Sequence, residues 1–309
     1  MTRSLVSDAA FQMSGGLPPD ERYRHIVVSS LHNWFDPDPA NHWHPHASQH
    51  LVLEALFVRD CKLVFCQCGR KWGKTETIVY ALWRFALLNP GVACYYICPT
   101  QKQGREIVWK SRDRKGRLRL QEFGPAEFIA NIDNEDLRIT FKNGSFIKVD
   151  GSDNFAAWAG ISPHLVVLDE FCYFKADFYD VMNPNRATFD APMIIIGTPP
   201  KQIWLDKDTP HQYVEVAKEA RDTMMDTGEA LHIKRASWDN PDPMIQSFLR
   251  REKKILFRKN KQATWWREYG AEFVTDGETK IFPAFTADPT LPGSHVIPHS
   301  YILDHMYAC

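Results

Sequence analysis

The sequence predicts an α/β fold: a mainly parallel sheet flanked by helices and organised around a phosphate-binding loop. Three observations carry that expectation. First, the apolar run Leu63–Cys66 leads into a turn with Gly69 and Gly73, then Lys74-Thr75 and a segment of helical periodicity reaching Leu87. Strand, glycine-bearing loop and helix in that order make the Walker A arrangement. Second, Leu165–Leu168 reads as a strand buried on both faces that ends in adjacent acids, Asp169 and Glu170, about 95 residues after the loop. Third, Met193–Ile196 reads as another such strand and ends at Gly197-Thr198-Pro199.

The loop's chemistry follows from its backbone. Gly69, Arg70, Lys71, Trp72 and Gly73, with Lys74, Thr75 and Glu76 opening the helix, form the candidate nucleotide cradle. N–H groups of such a loop and of the helix N-terminus point at phosphate oxygens. Lys74 supplies a point charge to the β- and γ-phosphates, and Thr75 offers its hydroxyl to Mg²⁺. One departure stands out: the first glycine of the usual pattern would fall on Cys68, and the glycine comes one step later, at Gly69. In a sheet of this kind the C-terminal end of the acidic strand lies beside the loop. Asp169 can then join the Mg²⁺ shell, and Glu170 can act as general base on the water in line with the γ-phosphate. Thr198 sits where loss of the γ-phosphate can be sensed. The bland alternative is a glycine-rich turn, an ordinary strand-to-loop junction and a Pro-terminated strand, three unrelated features.

Composition bounds the rest. The chain has 309 residues, 44% hydrophobic and 24% charged, which is enough for a sizeable core and one or two domains. Net charge is −1 and pI about 6.9, so contact with nucleic acid would rest on local patches. No stretch has signal-peptide or membrane-span character, and Arg84 interrupts the Ile78–Leu88 run. Seven irregularly spaced cysteines read as reduced thiols of a cytosolic protein.

Along the chain, residues 1–40 read as a loose arm with one short helix near Asp20–Trp34. His42, His44, His46 and His50 follow; a metal site is the sharper reading, but no carboxylate or cysteine stands at ligand spacing, which favours a solvated loop. Pro45 and Gln49 precede a helical stretch, Leu51–Val58. A glutamine amide both donates and accepts, so Gln49 can read an adenine edge; a surface glutamine at a helix start is the equal alternative. Ala93–Cys98 reads as a buried strand, and Gln101–Arg119 as a helix running into a basic loop. Leu137–Asp150 alternates around Asn143-Gly144, predicting a hairpin with a type I′ turn. His211–Asp222 predicts a helix and Leu231–Ala236 a strand. Pro243–Glu272 is helical, aromatic and basic, and its basic run reads first as a solvated face.

The ordered set resembles the large terminase subunit of tailed bacteriophages, the ATPase that drives DNA into the procapsid. The set is Pro45/Gln49, CGRKWGKT at Cys68–Thr75, CPT at Cys98–Thr100, LVVLDE at Leu165–Glu170, GTP at Gly197–Pro199, DNP at Asp239–Pro241, and REYGAEF with KIFPAF at Arg267–Phe273 and Lys280–Phe285. The resemblance implies a P-loop (ASCE/RecA-like) α/β fold with a small helical lid or linker. It divides the chain into an arm at 1–44, an ATPase core at 45–240 and a lid and linker at 241–309. It implies ATP and Mg²⁺ as cofactors, Gln49 at adenine, and Arg70 at the γ-phosphate or coupled to lid motion. Lys74 and Thr75 would hold phosphate and metal, Asp169 Mg²⁺, Glu170 would be the base, and Thr198 would lie in the coupling motif. The implied partners are double-stranded viral DNA, a portal protein, a small terminase subunit and further copies in a ring on the procapsid, in the host cytoplasm and with no membrane. Two departures matter. Where the family often carries an arginine, the loop here reads Ala156-Ala157-Trp158-Ala159-Gly160, so no arginine finger is named. A ribonuclease-H-like nuclease usually follows KIFPAF, but Asp304 alone makes no metal site, and nuclease activity is not expected. A helicase-type P-loop ATPase and a nucleotide-binding assembly protein that no longer hydrolyses ATP are the competing readings.

Overall fold

A computed structural model describes residues 45–153, 158, 160–205 and 209–274. The expected helix near Asp20–Trp34, His42 and His44, the residues 154–157 and 159, KIFPAF and Asp304 lie outside the described residues.

The strands are β1 (Leu63–Cys68), β2 (Ala93–Cys98), β3 (Ile129–Asp133), β4 (Arg138–Phe141), β5 (Phe146–Gly151), β6 (Leu165–Asp169), β7 (Met193–Gly197) and β8 (Ala230–Arg235). They form one eight-stranded sheet in the order β3-β4-β5-β2-β6-β7-β1-β8. From β5 to β8 every pairing is parallel, and β3 and β4 extend the edge antiparallel. β7 therefore stands between the loop strand β1 and the acidic strand β6, and, the three being parallel, their C-terminal ends lie together at one edge of the sheet.

The helices are α1 (Ala47–Phe57), α2 (Lys74–Leu88), α3 (Gln101–Gly104, continuing as a π-helical turn Arg105–Trp109), α4 (Phe178–Asn185), α5 (Gln212–Asp226), α6 (Pro243–Arg258) and α7 (Gln262–Glu268). Strands β1, β6 and β7 are buried along their whole length because helices cover both faces. Val64, Cys66 and Ile196 pack with Val52, Ile78 and Trp83 of α1 and α2. Leu63, Phe65 and Ile195 face the other way, onto Phe178 of α4 and Tyr213 of α5, as the two-residue period of a strand requires. A third cluster, Leu249, Leu256, Trp265 and Tyr269, joins α6 to α7. Asp242 starts α6 by accepting from the Met244 and Ile245 N–H groups at 2.8 and 3.3 Å, with Pro243 in the first turn.

One local expectation is corrected. The β4–β5 hairpin forms, but not with a type I′ turn: Gly144 has φ +84° and Asn143 is not at positive φ. Phe141 and Ser145 close a three-residue loop, with Gly144 N–H on Phe141 C=O at 3.0 Å. Helix α3 gives way after Trp109 to the basic loop that the sequence predicts. Asp113 Oδ1 accepts the Lys115 and Arg117 N–H groups at 2.8 and 2.9 Å, and this side-chain turn replaces helical bonding in the basic stretch.

Candidate active site

The loop between β1 and α2 is shaped by what surrounds it. A Cβ on Gly69 would meet Tyr269 O at 2.4 Å and Ser237 Oγ at 2.6 Å, so only glycine fits under the end of α7. Cys68, one step before, is the buried last residue of β1, where burial pushes its thiol up to about 12. The close approach falls at Gly69, which accounts for the shifted glycine. Gly73 has φ +109°, and a Cβ there would meet Gln49 Nε2 at 2.5 Å. Among the described residues, the N–H groups of Lys71, Gly73, Lys74, Thr75 and Glu76 find no acceptor in the chain. They gather at the N-terminus of a 15-residue helix, where the backbone dipoles favour an anion.

Lys74, Asp169 and Glu170, distant in sequence, converge. Lys74 Nζ lies 3.5 Å from Glu170 Oε1 and 3.5 Å from Gly69 O. Asp169 is 3% exposed, and its Oδ2 accepts from the Tyr96 hydroxyl of β2. Burial raises the Asp169 carboxyl above the usual range, with the Glu170 charge adding to it; the Tyr96 bond and Lys74 oppose the rise. Glu170 takes a left-handed backbone, φ +54° and ψ 44°, with its N–H on Ile196 O at 2.8 Å. A left-handed non-glycine residue is uncommon and collects at functional sites. A Cβ on Gly197 would come within 3.3 Å of Glu170 Cα, so the end of β7 abuts that turn. Thr198, buried, lies 3.4 Å from Glu170 Oε2 through its hydroxyl.

Other expected site residues stand differently. Arg70 is half-exposed and its Nε pairs with Glu268 Oε2 of α7 at 2.5 Å, while its N–H donates to Glu268 O at 2.7 Å. In this conformation it reaches the helical unit rather than the phosphate cradle. The Glu76 side chain pairs with Arg119 of the basic loop, so only its backbone faces the cradle. Trp72 is fully buried and donates Nε1–H to Ser48 Oγ at 3.0 Å, and Lys71 is exposed at φ +66°. Gln49 is no surface residue: it is 3% exposed, accepts the His46 N–H at 2.9 Å and donates to Gly73 O at 3.1 Å. Tyr96 is not singled out by the sequence, where ACYYIC shows only a buried strand; the signal it carries is a tyrosine hydroxyl in a buried strand, which needs a partner.

Among the described residues no group of three or more His, Cys, Asp or Glu side chains could hold a metal, and His46 is engaged with Trp72 O and Ser48. Mg²⁺ is commonly held by one or two protein oxygens together with phosphate oxygens and water. A buried carboxylate at Asp169 and the Thr75 hydroxyl at the start of α2 are the kind of donors that suit it.

No protein-family model matches the chain, and no curated protein does. Solved structures do. The large terminase ATPase domain of Thermus phage P74-26 superposes with a TM-score of 0.56 at 18% identity, over 84% of this chain and 100% of that one. The large terminase of a second thermophilic bacteriophage, in complex with ADP, gives 0.53 at 16% identity, over 74% of this chain and 54% of that one. The ATP-gamma-S complex of the same terminase gives 0.52 at 18%, over 74% and 53%. The chain thus spans about half the length of that second terminase. Its eight-stranded, mostly parallel sheet with flanking helices has the fold of these phage large-terminase ATPase domains.

Proposed function

We propose that this chain is a P-loop ATPase of the large-terminase type, hydrolysing ATP with Mg²⁺ to move double-stranded viral DNA into a procapsid. The observation that carries the reading is the meeting of Lys74 and the acidic pair Asp169-Glu170 beside five unpartnered loop N–H groups. The solved phage terminase complexes with ADP and ATP-gamma-S support a nucleotide there.

In this reading the loop N–H groups and Lys74 hold the phosphates. Thr75 and Asp169 hold Mg²⁺, which supplies charge compensation at the phosphate oxygens. Glu170 orients the attacking water and takes its proton, and its contact with Lys74 opens when the γ-phosphate draws that ammonium away. Phosphoryl transfer to water needs positioning and charge stabilisation more than covalent chemistry, which matches this inventory. Thr198 reports the state of Glu170 to β7. Arg70, paired with Glu268, ties the loop to α6 and α7, which act as the lid of a core spanning 45–240.

The partners proposed are a portal, a small terminase subunit and further copies in a ring on the procapsid in the host cytoplasm. Among the described residues no helix is long and apolar enough to cross a membrane. For DNA, α6 and the turn after it offer a basic strip: between positions 250 and 261 stand seven basic residues and one acid.

Glu170→Gln tests the assignment. The variant is expected to bind ATP and turn it over at least ~100-fold more slowly, the usual scale for loss of a general base. Turnover equal to wild type sinks the role of Glu170. Wild-type binding without turnover favours the assembly-protein reading. DNA-stimulated turnover, measured with and without portal-bearing procapsids, tests the packaging role.

A further inference from the structure

A phosphate loop turns its N–H groups inward, so its carbonyls must find donors on the outside. Here four consecutive carbonyls do. Ser237 Oγ donates to Arg70 O, and Asn240 Nδ2 to Lys71 O at 2.9 Å. His46 Nε2 lies 2.9 Å from Trp72 O, and Gln49 Nε2 donates to Gly73 O at 3.1 Å, a carbonyl it shares with the Thr77 N–H and hydroxyl of α2 at 3.2 and 2.9 Å. Two of these side chains come from the connection between β8 and α6, and two from the start of α1. Together they form a collar around the loop's outer edge.

The α1 half is closed on itself. Trp72 Nε1–H donates to Ser48 Oγ at 3.0 Å, and Ser48 Oγ lies 3.0 Å from His46 Nδ1. With the Ser48 hydroxyl given to Nδ1, the imidazole is neutral, carries its proton on Nε2, and returns it to the Trp72 carbonyl. The Trp72 and His46 rings also meet edge to face at 5.3 Å. Burial favours the neutral imidazole this circuit needs. Gln49 completes the arrangement, since its Oε1 accepts the His46 N–H and its Nε2 holds Gly73.

We infer that His46 and Gln49 are positioning residues of the phosphate loop, and that Gln49 acts on the triphosphate through Gly73 rather than by reading the base. This rests on the nucleotide-binding reading above. Holding the Trp72 and Gly73 carbonyls fixes the peptide planes whose N–H groups meet phosphate, so the pair sets affinity for any triphosphate. A base reader would set the preference for adenine instead.

The test is equilibrium binding, by displacement of a fluorescent ATP analogue from the full chain by ATP, GTP and inorganic tripolyphosphate. Gln49→Met keeps the side-chain volume and removes both hydrogen bonds. It is expected to weaken all three ligands by the same factor, roughly three- to tenfold, the scale of one or two lost hydrogen bonds. His46→Ala should do likewise, whereas His46→Gln, whose amide can replace Nε2–H, should bind within about twofold of wild type. Thermal melts identify any variant that does not fold, and Ser48→Ala, which deletes the hydroxyl that sets the His46 tautomer and should also weaken all three ligands by one factor, then carries the comparison. Loss confined to ATP overturns the inference and makes Gln49 a base reader. Unchanged affinity for all three in Gln49→Met, or His46→Gln as weak as His46→Ala, also overturns it. A wild type that binds none of the three ligands instead sinks the nucleotide-binding reading itself.

Discussion

Tyr96 illustrates what a single residue contributes at the acidic end of the site. Asp169 is buried at the end of β6, and a carboxylate there without donors would be expensive. The Tyr96 hydroxyl donates to one oxygen of that carboxylate, Oδ2. Tyr96→Phe keeps the ring in the core and deletes that donor. The expected cost is about 1–3 kcal/mol of folding stability, read by urea denaturation, because the partner is left buried and unsatisfied. Tyr95, its half-buried neighbour on the opposite face, provides the control: Tyr95→Phe should stay within about 0.5 kcal/mol of wild type. Equal costs for the two variants would remove Tyr96 from the account of Asp169.

At the scale of elements, the loop and the helical unit meet backbone to backbone. Gly69 lies under the Tyr269 carbonyl, Ser237 N–H donates to Tyr269 O at 2.7 Å, and Arg70 is held by Glu268. Gly69→Ala puts a methyl where a carbonyl oxygen now sits, and no rotamer change relieves a backbone clash. α7 must lift, carrying Trp265 and Trp266 with it. The expected signature is a changed tryptophan emission with at least ~3-fold weaker ATP binding, since the loop loses one wall. Unchanged emission and affinity would show that the α7 end is not fixed to the loop. The same scale shows what a sequence can and cannot specify. β1, β6 and β7 are legible as continuous apolar runs because both their faces are covered. The turn at Asn143-Gly144 is not: Asn143 Nδ2 donates to the Ala86 and Leu87 carbonyls at 2.8 and 3.2 Å, capping the end of α2, and that tertiary bond selects the three-residue loop. In the site, Lys74, Asp169 and Glu170 are legible because each lies in a local pattern. The loop-holding roles of His46, Ser237 and Asn240 are not, because what confers them is a carbonyl that only the folded chain brings near.

For the whole molecule the question is where a protein of net charge −1 would grip a polyanion. Opposite charges are spread and often paired elsewhere: Arg119 with Glu76, Lys148 with Asp136, Lys234 with Glu272. Among the described residues, none of the seven basic side chains from Arg250 to Lys261 makes an ion pair, and all are exposed. Arg250, Lys254 and Arg258 follow one another at four-residue steps, which places them along one face of α6, away from Leu249 and Leu256 in the apolar cluster. An unpaired row of this kind costs self-repulsion that a phosphate backbone would relieve, and each phosphate neutralised releases condensed counterions. Replacing the three by glutamine should therefore leave basal ATP turnover unchanged, because none touches the phosphate loop, while weakening binding to double-stranded DNA. The logarithmic salt dependence of that binding should become shallower by about 2–3, close to 0.9 for each phosphate that is no longer neutralised. A binding slope identical to wild type would make the strip an ordinary solvated face.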